Sequence, residues 1–293
     1  MAELHFRTAT ELANMIRSKK ISCVELLEYF LRRCDKYNSQ INAIINYKRE
    51  AALQRASRAD EAMSRGVSWG PLHGVPMTIK ECFDWEGTPT TWGVPKLRDN
   101  IAVKNSVVVQ RMLDAGVVLF GKTNVPFMLG DWETFNQIYG TTNNPWDLTR
   151  VPGGSSGGSA SALAAGLTAL EAGSDIGASI RNPAHSCGVF GHKTTWGIVP
   201  TRGQSLPGML SHSDISVVGP LARGADNLSV ALQVMAGPDE LESDGYKLGL
   251  LKPFKKKLSE FRVAVMVTNN ICPIDDEYAD KIQMIADACA NRE

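Results

Sequence analysis

The sequence predicts an α/β fold with a mixed or parallel β-sheet core. Three observations carry this. Short apolar runs alternate with helical segments from residue 66 onward. Near the N-terminus, serine or threonine followed three residues later by glutamate marks helix starts. Glycines such as Gly66 and Gly116 close helical segments where strands resume.

Taken in order, Thr8 with Glu11 and Ser22 with Glu25 form capping-box patterns, so two helices open the chain. Behind Ser22, Val24, Leu27, Phe30 and Leu31 recur at helical spacing and give the second helix an apolar face. NAIINY (42–47) reads as a short strand, and 48–65 as a polar, Ala- and Arg-rich helix. VPMTIK, ending at Lys80, is a strand. Ser106 to Gly116 is a helix with a glycine stop, and Val117 to Phe120 a buried strand. SASALAAGL is a helix of small residues, and LTALEAG after it a strand. Pro200 to Gly208, rich in Gly and Pro, is expected as a long surface loop. RVAVMV (Arg262 to Val267) reads as a strand, and DDEYADKIQMIADACA as an amphipathic helix.

Of 293 residues, 43% are hydrophobic and 21% charged, an ordinary globular composition with zero net charge. Bulk electrostatics therefore favour neither nucleic acid nor an anionic membrane. Lys255 to Lys257, with Lys252, reads as a solvated face. MAELHFRTAT has no apolar h-region, and no window has the apolar length of a membrane span. Six scattered cysteines without a CxxC pair read as reduced, buried thiols of a cytoplasmic protein. Five histidines show no metal-binding spacing, so neither metal nor cofactor is expected.

Two motifs fail on context. Gly116 to Thr123 matches GxxxxGK[ST], but its middle residues, VVLF, read as the strand itself, and Asn124-Val125-Pro126 is no helix start. Gly154 to Gly158 matches GxSxG around Ser156. Pro152 and Gly153 oppose the apolar strand such an elbow needs, although His185, His192 and His212 lie downstream.

A hydrolase without a catalytic histidine needs a nucleophile, another base and oxyanion donors. Lys80 ends an apolar strand, where desolvation favours the neutral amine; a lysine snorkelling to the surface remains the alternative. Ile176-Gly177-Ala178-Ser179 is a tight turn of small residues whose N–H groups suit an anion, or a mere close backbone crossing. Pro183 suits the first turn of a following helix.

At this point several motifs in order become decisive: GVPMTIKECFDWEGTPTTWG, GKTNVPFM, YGTTNNPWD, PGGSSGGSASALAAG, GSDIGASIRNPA, GHKTTWGIVPTRG and GPLARGADNLSVALQVMAG. Together they span most of residues 8–290, and the sequence resembles the amidase signature family of Ser–Ser–Lys hydrolases. The resemblance implies a mixed β-sheet covered by helices on both faces, incomplete at the C-terminus. It implies one amidase domain over 1–293, with a helical region at 1–65 and a catalytic core at 66–293. By position, Lys80 matches the catalytic lysine, Ser155 the bridging serine on a cis peptide, and Ser179 the nucleophile. Ser156 is then not the nucleophile.

The N–H groups of Ile176, Gly177, Ala178 and Ser179 would hold the oxyanion. Ala178 stands where many members have glycine, and His192 and Thr194 depart from the commonest GLKPT form. The resemblance places Pro126 to Gln137 beside the nucleophile. Phe127, Met128 and Trp132 are expected along an apolar cleft, with core packing open for the first two, and Asp131 orienting a polar group. The implied activity is hydrolysis of small-molecule carboxamides, with apolar or aryl amides favoured and esters or carbamates admitted. The alternatives are a glutaminase component of a tRNA-repairing amidotransferase, and an inactive fragment. A homodimer and a missing C-terminal half are also admitted.

Overall fold

The computed structural model describes residues 3–209, 213–251, 254–255 and 257–291. His212, Lys252 and Lys256 lie outside the described residues. The chain forms two compact units, Met1–Leu248 and Gly249–Glu293.

In the larger unit, α1 (Ala9–Arg17) and α2 (Cys23–Ile41) both begin at complete capping boxes, on Thr8/Glu11 and Ser22/Glu25. Asn42, in the left-handed conformation, ends α2 and leads into β1 (Ile44–Tyr47). In α3 (Arg49–Ser64), Ala52, Ala56, Ala59 and Ala62 make a buried stripe that lets the helix lie close to its neighbours. Asp60 of α3 reaches back to accept the N–H groups of Cys23 and Val24, at 2.7 and 3.1 Å, so it caps α2 from a second helix.

Next come β2 (Pro76–Lys80), α4 (Val107–Asp114) and β3 (Val118–Thr123). β3 pairs antiparallel with β1 and parallel with β2, so this sheet, ordered β1-β3-β2, is mixed. Gly121, Lys122 and Thr123 are the last three residues of β3, which removes any phosphate loop there. The buried Lys122 ammonium instead donates to Pro89 O at 2.5 Å and Thr90 Oγ1 at 3.1 Å and pins a loop.

A small ribbon, β4 (Phe135–Asn136) with β5 (Gly140–Thr141), precedes α5 (Gly157–Ala164). β6 (Leu170–Asp175), α6 (Arg181–Cys187), β7 (Phe190–Gly191), β8 (Val217–Ala222) and α7 (Ala225–Met235) follow. The antiparallel sheet they build is ordered β6-β8-β7. Its β6 lies beside β2: Ala169 N donates to Pro76 O at 3.3 Å and Thr78 N to Thr168 Oγ1 at 3.0 Å. Alternate residues of β8 serve two cores. Val218 and Ala222 join the main core with α1, α2 and α7, whereas Leu221 packs with Ala160 and Leu163 of α5 and Ile180 and Ala184 beside it. Helices therefore cover both faces.

β8 and α7 are elements the periodicity did not announce, because Gly219 and Pro220 argue against a strand. The glycine is required. A Cβ there would stand 2.1 Å from His192 O, whose own N–H donates to Pro220 O. The loop at 200–208 has no helix or strand, as expected. It does not stay at the surface, because Gln204 is buried.

The smaller unit contains α8 (Asp276–Ala290), begun by the Asp275 side chain accepting the Glu277 N–H. Arg262 to Val267 forms no strand, which corrects the sequence reading. A short apolar run makes a strand only with a partner ladder, and Val263, Val265 and Met266 stand exposed. The cysteine reading also needs correction. Cys23, Cys34, Cys82 and Cys187 are buried free thiols, but Cys272 is exposed and Cys289 half-buried. No helix among the described residues is long and apolar enough to cross a membrane.

Candidate active site

All five residues of β2 are buried, so the strand carries Lys80 inward at its C-terminal end. Its side chain is fully buried, not snorkelled. Lys80 Nζ lies 2.7 Å from Ser155 Oγ and 3.0 Å from Ser174 Oγ, with Ser174 O at 3.4 Å. Burial lowers the Lys80 pKa to about 8, against the pull of Cys82, Asp175 and Glu171. A neutral amine keeps one lone pair able to take a proton from a hydroxyl.

Glu171 of β6 is also fully buried, and burial pushes its pKa up to about 8 against hydroxyl hydrogen bonds from Thr78, Ser159 and Thr123. Ser174 was not singled out in the sequence. One serine among the small and polar residues of β6 carries no local sign that it meets a lysine.

Ser155 precedes α5, and the Gly154–Ser155 peptide is cis. The bare backbone has a steric reason: a Cβ on Gly154 would lie 2.5 Å from Asp131 O, and one on Gly158 2.4 Å from Asn124 N. The next residue ties this turn to the second run, since Ser156 N donates to Ser179 O at 3.1 Å. Ser156 Oγ itself faces the Ser174 carbonyl, at 3.4 Å.

The turn at 176–179 is organised by an acid that sequence reasoning passed over. Asp175 is buried, and its Oδ1 accepts the Ala178 N–H at 2.9 Å. Oδ2 accepts the N–H groups of Ile180 and Arg181, at 3.1 and 3.3 Å, and Arg181 adds two side-chain bonds at 3.0 Å. Burial works against the Asp175 carboxylate, but Arg181 and these N–H groups outweigh it and hold its pKa below the usual value. An acid just before a run of small residues was the available signal.

The same bond corrects the oxyanion expectation. The Ala178 N–H is already bonded to Asp175 Oδ1, so of the four expected donors this one is engaged within the chain. Ala178 has φ of 84°, in the region that favours glycine. Ala178→Gly is expected to stabilise the chain by about 1 kcal/mol, read by urea unfolding. Unchanged or lower stability would show that the turn holds alanine without strain.

Ser155, Ser174, Ile176 and Ser179 line one cavity of about 250 Å³. Trp92, Met128, Leu129, Leu206 and Met209 make it largely apolar, and Thr201, Gln204, Ser205, Ser213 and Ser216 are its other polar groups. No ionised carboxylate or guanidinium lines it among the described residues. Trp92, Met128 and Leu129 all have positive φ, between 54° and 55°. Such backbone persists only where surroundings enforce it. Glu81 does so by accepting the Thr91 and Trp92 N–H groups at 2.5 and 2.9 Å, and Met128 N donates to Trp92 O at 2.8 Å.

Of the four expected pocket residues, only Met128 lines the cavity. Phe127 is 54% exposed and Trp132 59% exposed. The Trp132 indole donates to Gly177 O at 3.1 Å and so touches the turn from outside. Asp131 is exposed, and its Oδ1 accepts the Glu133 N–H.

Comparison with known proteins agrees with this arrangement of the chain. A family model described as Amidase matches residues 25–293. An acylamidase from Rhodococcus erythropolis is 41% identical over 82% of this chain and 49% of its own length. A glutamyl-tRNA(Gln) amidotransferase component from Caldanaerobacter subterraneus subsp. tengcongensis is 38% identical, over 84% of this chain and 49% of its own length. The chain thus spans about half the length of the curated relatives it matches. Among solved structures, a fatty acid amide hydrolase superposes with a TM-score of 0.89 at 25% identity, over 99% of this chain and 52% of its own. A 6-aminohexanoate cyclic dimer hydrolase reaches 0.84 at 32% identity, over 99% of this chain and 59% of its own. With the match running through the β-strands, the buried lysine and both serine-bearing turns, the chain belongs to the amidase family.

Proposed function

We propose that this chain carries the acyl-transfer centre of an amidase that hydrolyses carboxamides with an apolar or aryl portion at the reacting end. The observation that carries it is the 2.7 Å contact of the buried Lys80 amine with Ser155 Oγ, on a cavity that Ser179 also lines. In this reading neutral Lys80 takes the Ser155 proton while Ser155 takes that of Ser179. Ser179 Oγ attacks the amide carbon. The oxyanion is met by the N–H groups of Ile176, Gly177 and Ser179, each such donor being worth about 3 kcal/mol. The Lys80 proton returns through Ser155 to the leaving amine, and water then cleaves the acyl ester. Residues 1–65 act as the helical region and 66–293 as the catalytic core of one amidase domain.

A glutaminase role, as in the amidotransferase relatives, is the second reading. Glutamine brings an ammonium and a carboxylate that need counter-charges on leaving water. The absence of carboxylates and guanidiniums along the cavity, among the described residues, favours an amide that is uncharged next to the scissile bond, where glutamine would place both charges within a short side chain. Reaction with an aryl fluorophosphonate, followed by peptide mapping, tests the centre. One adduct on Ser179 is expected. An adduct on Ser155 or Ser156 instead, or none, would overturn the assignment.

A further inference from the structure

The cavity has a neighbour. A second one, of about 210 Å³, shares Thr201, Ser213 and Ser216 with the first. Its remaining walls are Trp196, Gly197, Val199, Pro200, Glu242 and Tyr246. Only short hydroxyl side chains form the shared wall, so little side-chain bulk separates the two cavities.

The two differ in chemistry. Glu242 is the one carboxylate lining either cavity among the described residues. Its Oε2 accepts the Tyr246 hydroxyl at 3.3 Å and the Asp239 N–H at 3.4 Å. The Trp196 indole donates to Ser213 O at 2.8 Å, which fixes the ring at the shared wall. Neither ring is buried: Trp196 is 55% and Tyr246 45% exposed. Two aromatic rings and one carboxylate around a small cavity form an environment for a compact cation, since ring faces and carboxylate carry the same sign of potential.

We propose that this second cavity receives an ammonium group on the substrate, at the end remote from the scissile amide. The substrates would be amides of ω-aminoalkyl compounds. The inference rests on the reading that bond cleavage occurs at Ser179. It adds a charge preference that the apolar first cavity does not supply.

Binding to the Ser179→Ala chain tests this without turnover. N-(4-aminobutyl)benzamide is compared by calorimetry with the neutral isostere N-pentylbenzamide. The ammonium compound is expected to bind about tenfold more tightly at low ionic strength. The ratio should fall with added salt, and towards one when Glu242→Gln is combined with Ser179→Ala. Equal affinity, preference for the neutral compound, or no binding of either would overturn the proposal. Hydrolysis of N-pentylbenzamide by the chain with Ser179 intact reports separately on the amidase reading. Ammonium preference without hydrolysis would leave this subsite standing and remove the assigned activity.

Discussion

Lys80→Met is expected to lower kcat for an anilide by about 10⁴-fold, the scale on which loss of a base silences a hydroxyl nucleophile. Methionine keeps the unbranched length of the buried side chain, so the strand and its packing should persist. The amine is also the group whose desolvation the fold must tolerate, so thermal stability should hold or rise. The unsubstituted chain supplies the companion test. With the Lys80 pKa lowered to about 8, the amine is mostly protonated below that pH and cannot accept a proton. The rate should climb with pH and level off above about 8. A rate constant from pH 5 to 9, or a Lys80→Met chain keeping a tenth of its activity, would remove lysine as the base.

Asp175→Ala is expected to cost about 3 kcal/mol of stability and most of the activity, for one shared reason. This carboxylate is fully buried and binds the N–H groups of Ala178, Ile180 and Arg181. Without it three backbone donors at the start of α6 lose their acceptor, and the turn presenting Ser179 loses its frame. Arg181→Gln should cost far less, at most about 1 kcal/mol, because that side chain is 52% exposed and solvent screens its pairing. Urea unfolding of both variants, with the rate of fluorophosphonate labelling, gives the comparison. Equal losses in the two variants would mean that the ion pair, not the backbone bonds, organises the turn.

Local signals were the legible ones. Both capping boxes lie within four residues and form as read, and Ser106 to Gly116 becomes α4 between its serine cap and glycine stop. Signals that depend on distant partners were not legible. Arg262 to Val267 has the apolar run of a buried strand but no ladder, whereas Val217–Ala222, broken by Gly219 and Pro220, is a central strand because β6 and β7 flank it. The site divides the same way. Family resemblance assigned Lys80, Ser155 and Ser179 by position, while residue chemistry alone left Lys80 between two fates. The cavity wall came largely from residues no pattern marked. Trp92 reaches it through a strained turn held by Glu81, and Gln204 through a loop that dips inward.

The hydrogen bond from Ser156 N to Ser179 O joins the two serine turns by main chain alone. It is therefore indifferent to the residue at 156, so long as that residue keeps its N–H. Proline alone deletes the donor outright, while the full burial of Ser156 against Gly173 and the Ser174 carbonyl limits position 156 to small side chains. The spacing of the Ser155 and Ser179 turns is thus set by backbone shape and not by a side-chain contact.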